Sequence, residues 1–197
     1  DGEDTVFRSD LAGDAVPIFT HPQIEDFRAT AGHLVISVLD DDGLSRLIVT
    51  DLDGEGEREL PLPGEGYVST LQAADRGELI GYTFSDAGLG AGGGQESFLY
   101  TASLAPSAAR MAPTPVRIAG ADPRVAEWRF VPDTDSILLL GFDDNPLLTG
   151  SSGESATSLG TALRIDGVAG TDAYVARFTG PVVIDLLTGT ESPLVEP

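Results

Sequence analysis

The segment that decides the fold is residues 24–62, IEDFRATAGHLVISVLDDDGLSRLIVTDLDGEGERELPL. Residues 24–30 alternate between apolar and polar side chains, and residues 34–39 and 45–52 are two more continuous apolar runs. Small and acidic residues typical of turns separate these runs, and a short fourth segment, residues 58–62, closes the unit. Runs of this length and alternation indicate β-strands, so the segment predicts four strands joined by tight turns.

The turn between the third and fourth strands of this unit recurs along the chain. It combines an apolar pair, a short polar step and a small-residue turn, and its clearest copies are residues 6–13, 48–54 and 183–189, with weaker copies at 99–104 and 147–153. The hairpin formed by the first two strands recurs as well, at residues 27–35, 71–80, 130–138 and 165–175. The chain therefore repeats a unit of about 40 residues, which is the size of one propeller blade.

These repeats predict an all-β fold, a β-propeller-like array of four-stranded antiparallel blades in a single domain. The second hairpin recurs once more often than the first, which indicates that the chain begins in the middle of a blade. The expected units are a half blade at residues 1–20 and blades at 24–62, 67–119, 125–160 and 161–197.

The number of blades is close to the lower limit for ring closure, so we expect this array to be part of a larger ring. One alternative is a complete small ring whose first blade takes two strands from the other end of the chain. The other alternative is a β-sandwich, which also uses short alternating strands but stacks two sheets face to face.

The chain is strongly acidic, with 32 Asp and Glu against 11 basic residues and a formal net charge of -21. Such a charge repels phosphate groups, which argues against nucleic acid and against membrane insertion at an anionic surface. The absence of cysteine excludes disulfides, zinc-thiolate sites and thiol nucleophiles. The acidity, the expected fold and a first residue, Asp1, that suggests a processed or truncated chain predict an extracytoplasmic protein, secreted or associated with the cell envelope.

One repeat carries a family resemblance. Residues 128–139, WRFVPDTDSILL, combine an aromatic strand, a Pro-Asp turn and an apolar strand. This pattern resembles the PD40 repeat of TolB-like, WD40-like β-propellers, with Thr134 and Asp135 in place of the usual glycine. The resemblance implies a binding scaffold, and some propellers of this kind cap the active site of prolyl-oligopeptidase-like serine peptidases.

The function we expect is a non-catalytic scaffold that binds a protein, peptide or glycan through a rim of loops, because blades hold short loops on rigid strands. The alternatives are the gating propeller of a prolyl-oligopeptidase-like serine peptidase and a calcium-stabilised structural module. Only His21 and His33 offer imidazole bases, and a G-x-S-x-G motif is absent, so we expect no catalytic residue in this chain.

The calcium hypothesis depends on Asp51, Asp53, Glu55 and Glu57, whose spacing matches the first part of a calcium-binding loop. Leu62 stands where such a loop needs a bidentate Glu, and a plain hairpin turn is the alternative that we favour. No other cofactor is expected.

Three further patterns in the sequence have simpler explanations than a ligand site. Asp40 to Asp42 and the pair Asp143 and Asp144 follow equivalent strands and could offer carboxylates for weak calcium binding on one rim, but we favour solvated loops. Residues 88–93 match G-x-G-x-x-G, but a strand follows them instead of the helix that a dinucleotide site needs, which favours a mobile loop. Single aromatic side chains on strand faces favour the core between blades over a ligand site. These are Tyr67, Tyr82, Tyr100, Trp128 and Phe130.

Overall fold

The computed structural model describes residues 2–9, 13–30, 32–75, 78–89, 97–105, 111–117, 124–153 and 155–194 of the 197-residue chain. Over these ranges the regular structure is 18 β-strands and one short 3-10 turn, Ala87–Leu89. No helix in this described part is long and apolar enough to cross a membrane.

The strands form five antiparallel sheets, and each sheet uses strands that are consecutive in the chain. Sheet 1 contains β1 (Asp4–Ser9) and β2 (Ala15–His21). Sheet 2 contains β3 (Ile24–Ala29), β4 (His33–Leu39), β5 (Ser45–Asp51) and β6 (Arg58–Leu60). Sheet 3 contains β7 (Gly66–Ala73), β8 (Leu79–Asp86), β9 (Phe98–Ser103) and β10 (Thr114–Pro115).

Two more four-stranded sheets follow. Sheet 4 contains β11 (Val125–Phe130), β12 (Ser136–Gly141), β13 (Pro146–Gly150) and β14 (Thr157–Ser158). Sheet 5 contains β15 (Arg164–Ala169), β16 (Asp172–Arg177), β17 (Gly180–Asp185) and β18 (Glu191–Pro193). The prediction of four-stranded antiparallel blades is confirmed, and five separate sheets replace the two stacked sheets of the sandwich alternative.

The core lies between successive sheets, and the second strand of each inner sheet shows why. In β4, Val35 packs toward sheet 3, whereas Leu34, Ile36 and Val38 pack toward sheet 1. Side chains alternate between the two faces of a strand, so a strand covered on both faces is apolar at most positions. Among the buried positions of β4 the exception is Ser37, which is 1% exposed. The continuous apolar runs in the sequence are therefore the middle strands of blades with a neighbour on each side.

The same division is found in β12 of sheet 4. Ile137 and Leu139 face sheet 3, and Leu138 and Leu140 face sheet 5. The first strands of neighbouring sheets also contact one another, β3 with β7, β7 with β11 and β11 with β15. Sheets that touch along their first strands and bury their faces against neighbours form the arrangement of a propeller.

The PD40-like turn differs in detail from the expectation. The turn closes through hydrogen bonds from the Val131 amide to the Ser136 carbonyl, 2.9 Å, and from the Thr134 amide to the Val131 carbonyl, 3.2 Å. The residue in the left-handed region is Asp133, with φ 58°. Asp tolerates this conformation better than most residues, which explains how the turn forms without its usual glycine.

Candidate functional site: the loop rim

Antiparallel strand order sends two kinds of connection to the same end of every sheet. These are the turns between second and third strands and the links from each fourth strand to the next sheet. We call the described residues at this end the loop rim; they are residues 22–23, 40–44, 61–65, 87–89, 97, 116–117, 124, 142–145, 159–163 and 178–179. The remaining turns, including residues 51–57 and 186–190, lie at the opposite end.

Backbone hydrogen bonds join these connections to the neighbouring strands and turns at the rim. They run from the amides of Leu39, Ala87, Ala162 and Leu163 to the carbonyls of Gln23, Glu65, Asp144 and Ala176, at 3.1, 3.0, 2.8 and 2.8 Å. Because each bond fixes a link against a strand or turn, these described parts of the rim lie on a rigid support.

Three large apolar side chains are exposed on adjoining rim segments of sheets 4 and 5. Phe142 is 63% exposed, Leu163 is 45% exposed and Phe178 is 79% exposed. Leu163 lies between the other two because its amide bonds to the end of β16, just before Phe178, while the amide of Ala162 bonds to Asp144. We call these three residues the rim patch.

Arg177 fixes the segment that carries Leu163. Its guanidinium donates to the backbone carbonyls of Thr161 and Leu159, the latter at 2.7 Å, and pairs with Glu191 at 2.5 Å. The Arg177 side chain is mostly buried, and its hydrogen bonds anchor the backbone of residues 159–163 at Leu159 and Thr161. The central residue of the rim patch is therefore preorganised.

Charged groups surround the rim patch. Asp143 and Asp144 share the turn with Phe142, and Asp143 accepts a hydrogen bond from the Asn145 amide at 3.4 Å. Asp166 pairs with Arg164 at 2.5 Å, and the Arg124 guanidinium lies 5.5 Å from the centre of the Phe142 ring. That last contact is a cation–π geometry, so the Phe142 ring already accepts a guanidinium.

A separate cleft of about 550 Å³ lies where sheets 1 and 2 meet at the rim, lined in part by His21, Asp40, Asp41 and Arg46. Arg46 forms a fork-to-fork ion pair with Glu59, in which its Nε donates to Oε1 at 3.0 Å. The hydrogen bond from Arg46 lowers the pKa of Glu59, although burial opposes that shift. The cleft carries both signs of charge and selects no single ligand class.

The four residues of the calcium hypothesis lie at the end opposite the loop rim. Asp51 Oδ1 accepts the amide protons of Asp53 and Glu55 at 2.9 and 2.8 Å, and Asp53 pairs with Arg8. Within the described ranges, no group of three Asp, Glu, His or Cys side chains is placed to hold a metal ion, Glu57 included. Calcium binding by Asp51, Asp53, Glu55 and Glu57 stays a prediction, without an assembled ligand set to support it.

The repeated aspartates have a structural task instead. Asp40 Oδ1 accepts the amides of Asp42 and Leu44 at 3.0 and 2.9 Å, and Asp185 Oδ1 accepts those of Leu187 and Thr188 at 2.8 and 3.0 Å. A carboxylate that accepts amides two to four residues on stabilises a tight turn. Asp10, which in residues 6–13 occupies the position that Asp185 has in residues 183–189, lies outside the described residues.

The other sequence candidates are dispersed. His21 lies at the rim and His33 at the opposite end, so the two imidazoles do not meet. Gly88 belongs to the 3-10 turn, where Asp86 Oδ1 accepts its amide at 2.7 Å, and the rest of the glycine-rich loop, residues 90–96, lies outside the described residues.

Four of the five aromatic candidates are buried or half-buried between blades. Trp128 and Phe130 meet edge to face at 5.5 Å, and Tyr82 stacks on Tyr100 at 6.1 Å. Tyr67 is the exception, since it is 40% exposed on β7, a first strand that is only partly covered by neighbouring sheets. The core interpretation is right for the four and wrong for Tyr67.

Tyr82 provides a test of the core between sheets 2 and 3. Its hydroxyl is buried without a hydrogen-bond partner in the described part of the chain, and burial, with a smaller effect from Tyr100, raises the pKa of Tyr82. In the unfolded chain a tyrosine ionises at about pH 10, so above that pH the unfolded state loses a proton that the folded state keeps. Stability should therefore fall as the pH rises through this range.

We expect Tyr82→Phe to make this alkaline loss of stability shallower and to leave stability at neutral pH equal or higher, because no hydrogen bond is lost. Urea unfolding measured from neutral to strongly alkaline pH checks both effects. Tyr67→Phe is the matched control, since it removes a hydroxyl outside the core. A Tyr82→Phe protein with the wild-type pH dependence would contradict the assigned environment.

The exposed apolar residues of the rim were not recognised in the sequence. Phe142 and Phe178 stand in hairpin turns, where polar residues usually occur, and this is the signal that could have identified them. Leu163 carries no comparable signal, because its position beside both loops depends on the packing of sheets 4 and 5.

No protein-family model matches the chain, and no curated protein is similar to it in sequence. Among solved structures, the chain is similar to the β-propeller domain of the trilobed protease from Pyrococcus furiosus, which has an open velcro topology, with a TM-score of 0.56 and 11% identity over 88% of this chain. It is also similar to AztD from Citrobacter koseri, with a TM-score of 0.53 and 14% identity over 93% of this chain. The chain spans 57% and 48% of those two chains. These similarities show the fold, a β-propeller array.

Proposed function

We propose that this protein is a non-catalytic scaffold that binds a protein, peptide or glycan partner through its loop rim. The observation that carries the proposal is the rim patch, in which exposed apolar side chains are held on a fixed backbone. Several large exposed apolar side chains on adjoining, fixed segments are typical of an interaction surface. The strong acidity and the propeller fold support an extracytoplasmic location as part of the same proposal.

Arrays of immobilised peptides and glycans test this function. The protein is labelled through a single cysteine introduced by Leu52→Cys, because the native chain has no cysteine and residue 52 lies at the opposite end from the rim. We expect binding that is weakened by substitutions in the loop rim and kept by substitutions at residues 186–190. Binding that depends on the opposite end, or cleavage of the arrayed peptides, would contradict the proposal.

The gating propeller of a serine peptidase is the second candidate, favoured by similarity to the propeller domain of a protease. It differs from the first in what the complete reading frame must encode. A hydrolase domain with a G-x-S-x-G motif on the same chain would favour gating. A reading frame that encodes no such domain would leave the scaffold proposal in place.

A calcium-stabilised module is tested separately from both. If calcium binds at Asp51 to Glu57, the melting temperature should rise with added calcium and fall with a chelator. We expect neither change, because Asp51 and Asp53 are already used by the turn and by Arg8. Calorimetric titration that detects calcium binding would restore the hypothesis.

A further inference from the structure

We infer that the rim patch docks a basic peptide segment of another protein, which places apolar side chains against Phe142, Leu163 and Phe178. The inference rests on the proposed function and deepens it, because it names the part of the rim and the chemistry of the partner. Three observations carry it: the exposure of the three side chains on adjoining segments, the rigidity of the backbone and the charge around it.

The patch has the make-up of an energetic centre of an interface. It contains two phenylalanines more than half exposed, on the rims of adjacent sheets, with Leu163 between them. Aromatic side chains that become buried at the centre of an interface contribute most of its binding energy. By contrast, most other large apolar side chains of sheets 4 and 5 pack in the two clusters on either side of sheet 4.

The backbone under the patch needs little reordering on binding. The Ala162 amide donates to the Asp144 carbonyl in the turn of sheet 4, and the Leu163 amide donates to the Ala176 carbonyl in β16. Arg177 holds the carbonyls of Leu159 and Thr161. Ala162 is fully buried directly beside Leu163. A preorganised surface loses less entropy on association, so even a short peptide can bind it.

Charge selects a basic partner. Asp143 and Asp144 lie in the same turn as Phe142. Arg164 and Arg177 are paired with Asp166 and Glu191, so Arg124 is the basic side chain of the patch that opposes these two carboxylates. The small local acidic excess adds to the net charge of -21 of the whole chain. This field attracts a cationic segment and repels a second copy of the chain, an acidic peptide or an anionic lipid surface. The Arg124 guanidinium beside the Phe142 ring shows that a cation is compatible with the aromatic part of the patch.

The test uses three short synthetic peptides of about nine residues, the length of a typical linear recognition segment. The first alternates Lys with Phe and Leu, the second replaces Lys by Glu, and the third replaces the apolar residues by Ser. We expect the wild-type protein to bind the first peptide and to bind the other two at least about tenfold more weakly. Equal binding of the Glu peptide, or of the Ser peptide, would overturn the inference.

Two variants locate the site. Phe142→Ser with Phe178→Ser should weaken binding of the basic apolar peptide at least about tenfold. Asp143→Asn with Asp144→Asn should weaken it a few-fold and reduce its salt dependence, while asparagine keeps the turn contacts. Leu187→Ser is the matched control, because Leu187 is 78% exposed, as Phe178 is, but lies at the opposite end of sheet 5.

The outcomes separate this inference from the broader function. If the peptide binds but Phe142→Ser with Phe178→Ser leaves binding unchanged, the inference fails. If Asp41→Asn in the rim cleft then abolishes binding, the site lies elsewhere on the rim and the proposed scaffold function is kept. If Leu187→Ser weakens binding as much as the patch variant, both fail. If the wild-type protein self-associates in ultracentrifugation and the patch variant does not, the occupant is a second copy of the chain, and the inference of a basic peptide is wrong.

Discussion

Trp128→Ala should destabilise the protein by about 3 to 5 kcal/mol, the usual cost of removing a buried aromatic side chain. Trp128 is 1% exposed, meets Phe130 edge to face at 5.5 Å and lies in the cluster between sheets 3 and 4. Its ring covers Gly81 in β8, where a Cβ would lie only 2.6 Å from the ring. The substitution therefore opens a cavity between two blades, which rigid β-sheets cannot close.

Chemical denaturation measures this loss, with Phe178→Ala as the control. Phe178 is 79% exposed, so its replacement should change the free energy of unfolding by less than about 0.5 kcal/mol. A small loss for Trp128→Ala, close to that of Phe178→Ala, would mean that the two sheets do not share a core at Trp128.

Gly54→Ala should detach sheet 1 from sheet 2. Gly54 has φ 84°, and a Cβ there would lie 2.0 Å from the backbone oxygen of Ile18 in β2. A left-handed conformation costs an alanine roughly 1 to 2 kcal/mol, and the clash with backbone cannot be relieved by a side-chain rotation. Because sheet 1 must move away, we expect a total local cost above about 2 kcal/mol.

Gly56→Ala in the same turn separates the clash from the strain. Gly56 also has a positive φ, 66°, but a Cβ there would meet nothing within 4 Å. Hydrogen exchange followed by mass spectrometry should show faster exchange of β1 and β2 in Gly54→Ala than in Gly56→Ala, while sheets 3 to 5 stay protected in both. Equal protection of β1 and β2 in the two variants would show that Ile18 does not contact this turn.

The strands and their grouping could be predicted because each follows from local chemistry. The continuous run 34–39 matches a middle strand with two covered faces. In the first strand, β3, the burial does not follow the alternation of residues 24–30, because Phe27 is 47% exposed and Asp26 is half-buried. The recurring Asp marked the turns for a physical reason, since Asp40, Asp51 and Asp185 accept the amides of the residues that follow.

The candidate site could not be predicted in the same way, because it depends on contacts between blades. Asp51 and Asp53 have the spacing of metal ligands, but spacing does not reveal that one carboxylate is used by its own turn and the other by Arg8. The segment that carries Leu163 lies between the turns of Phe142 and Phe178, because Ala162 bonds to sheet 4 and Leu163 bonds to sheet 5. Such a juxtaposition becomes visible only when the blades are packed.

The central claim is that consecutive four-stranded sheets pack face to face in chain order, and nuclear Overhauser spectroscopy on the isotope-labelled protein tests it most directly. The chain contains a single Trp, so signals from its indole ring are unambiguous. We predict strong cross-peaks between the Hη2 and Hζ3 protons of Trp128 in sheet 4 and the α protons of Gly81 in sheet 3, since these ring carbons lie 2.6 and 2.8 Å from the Cβ position of Gly81. A Trp128 ring that shows cross-peaks to residues of sheet 1 or sheet 5 and none to Gly81 would contradict the account.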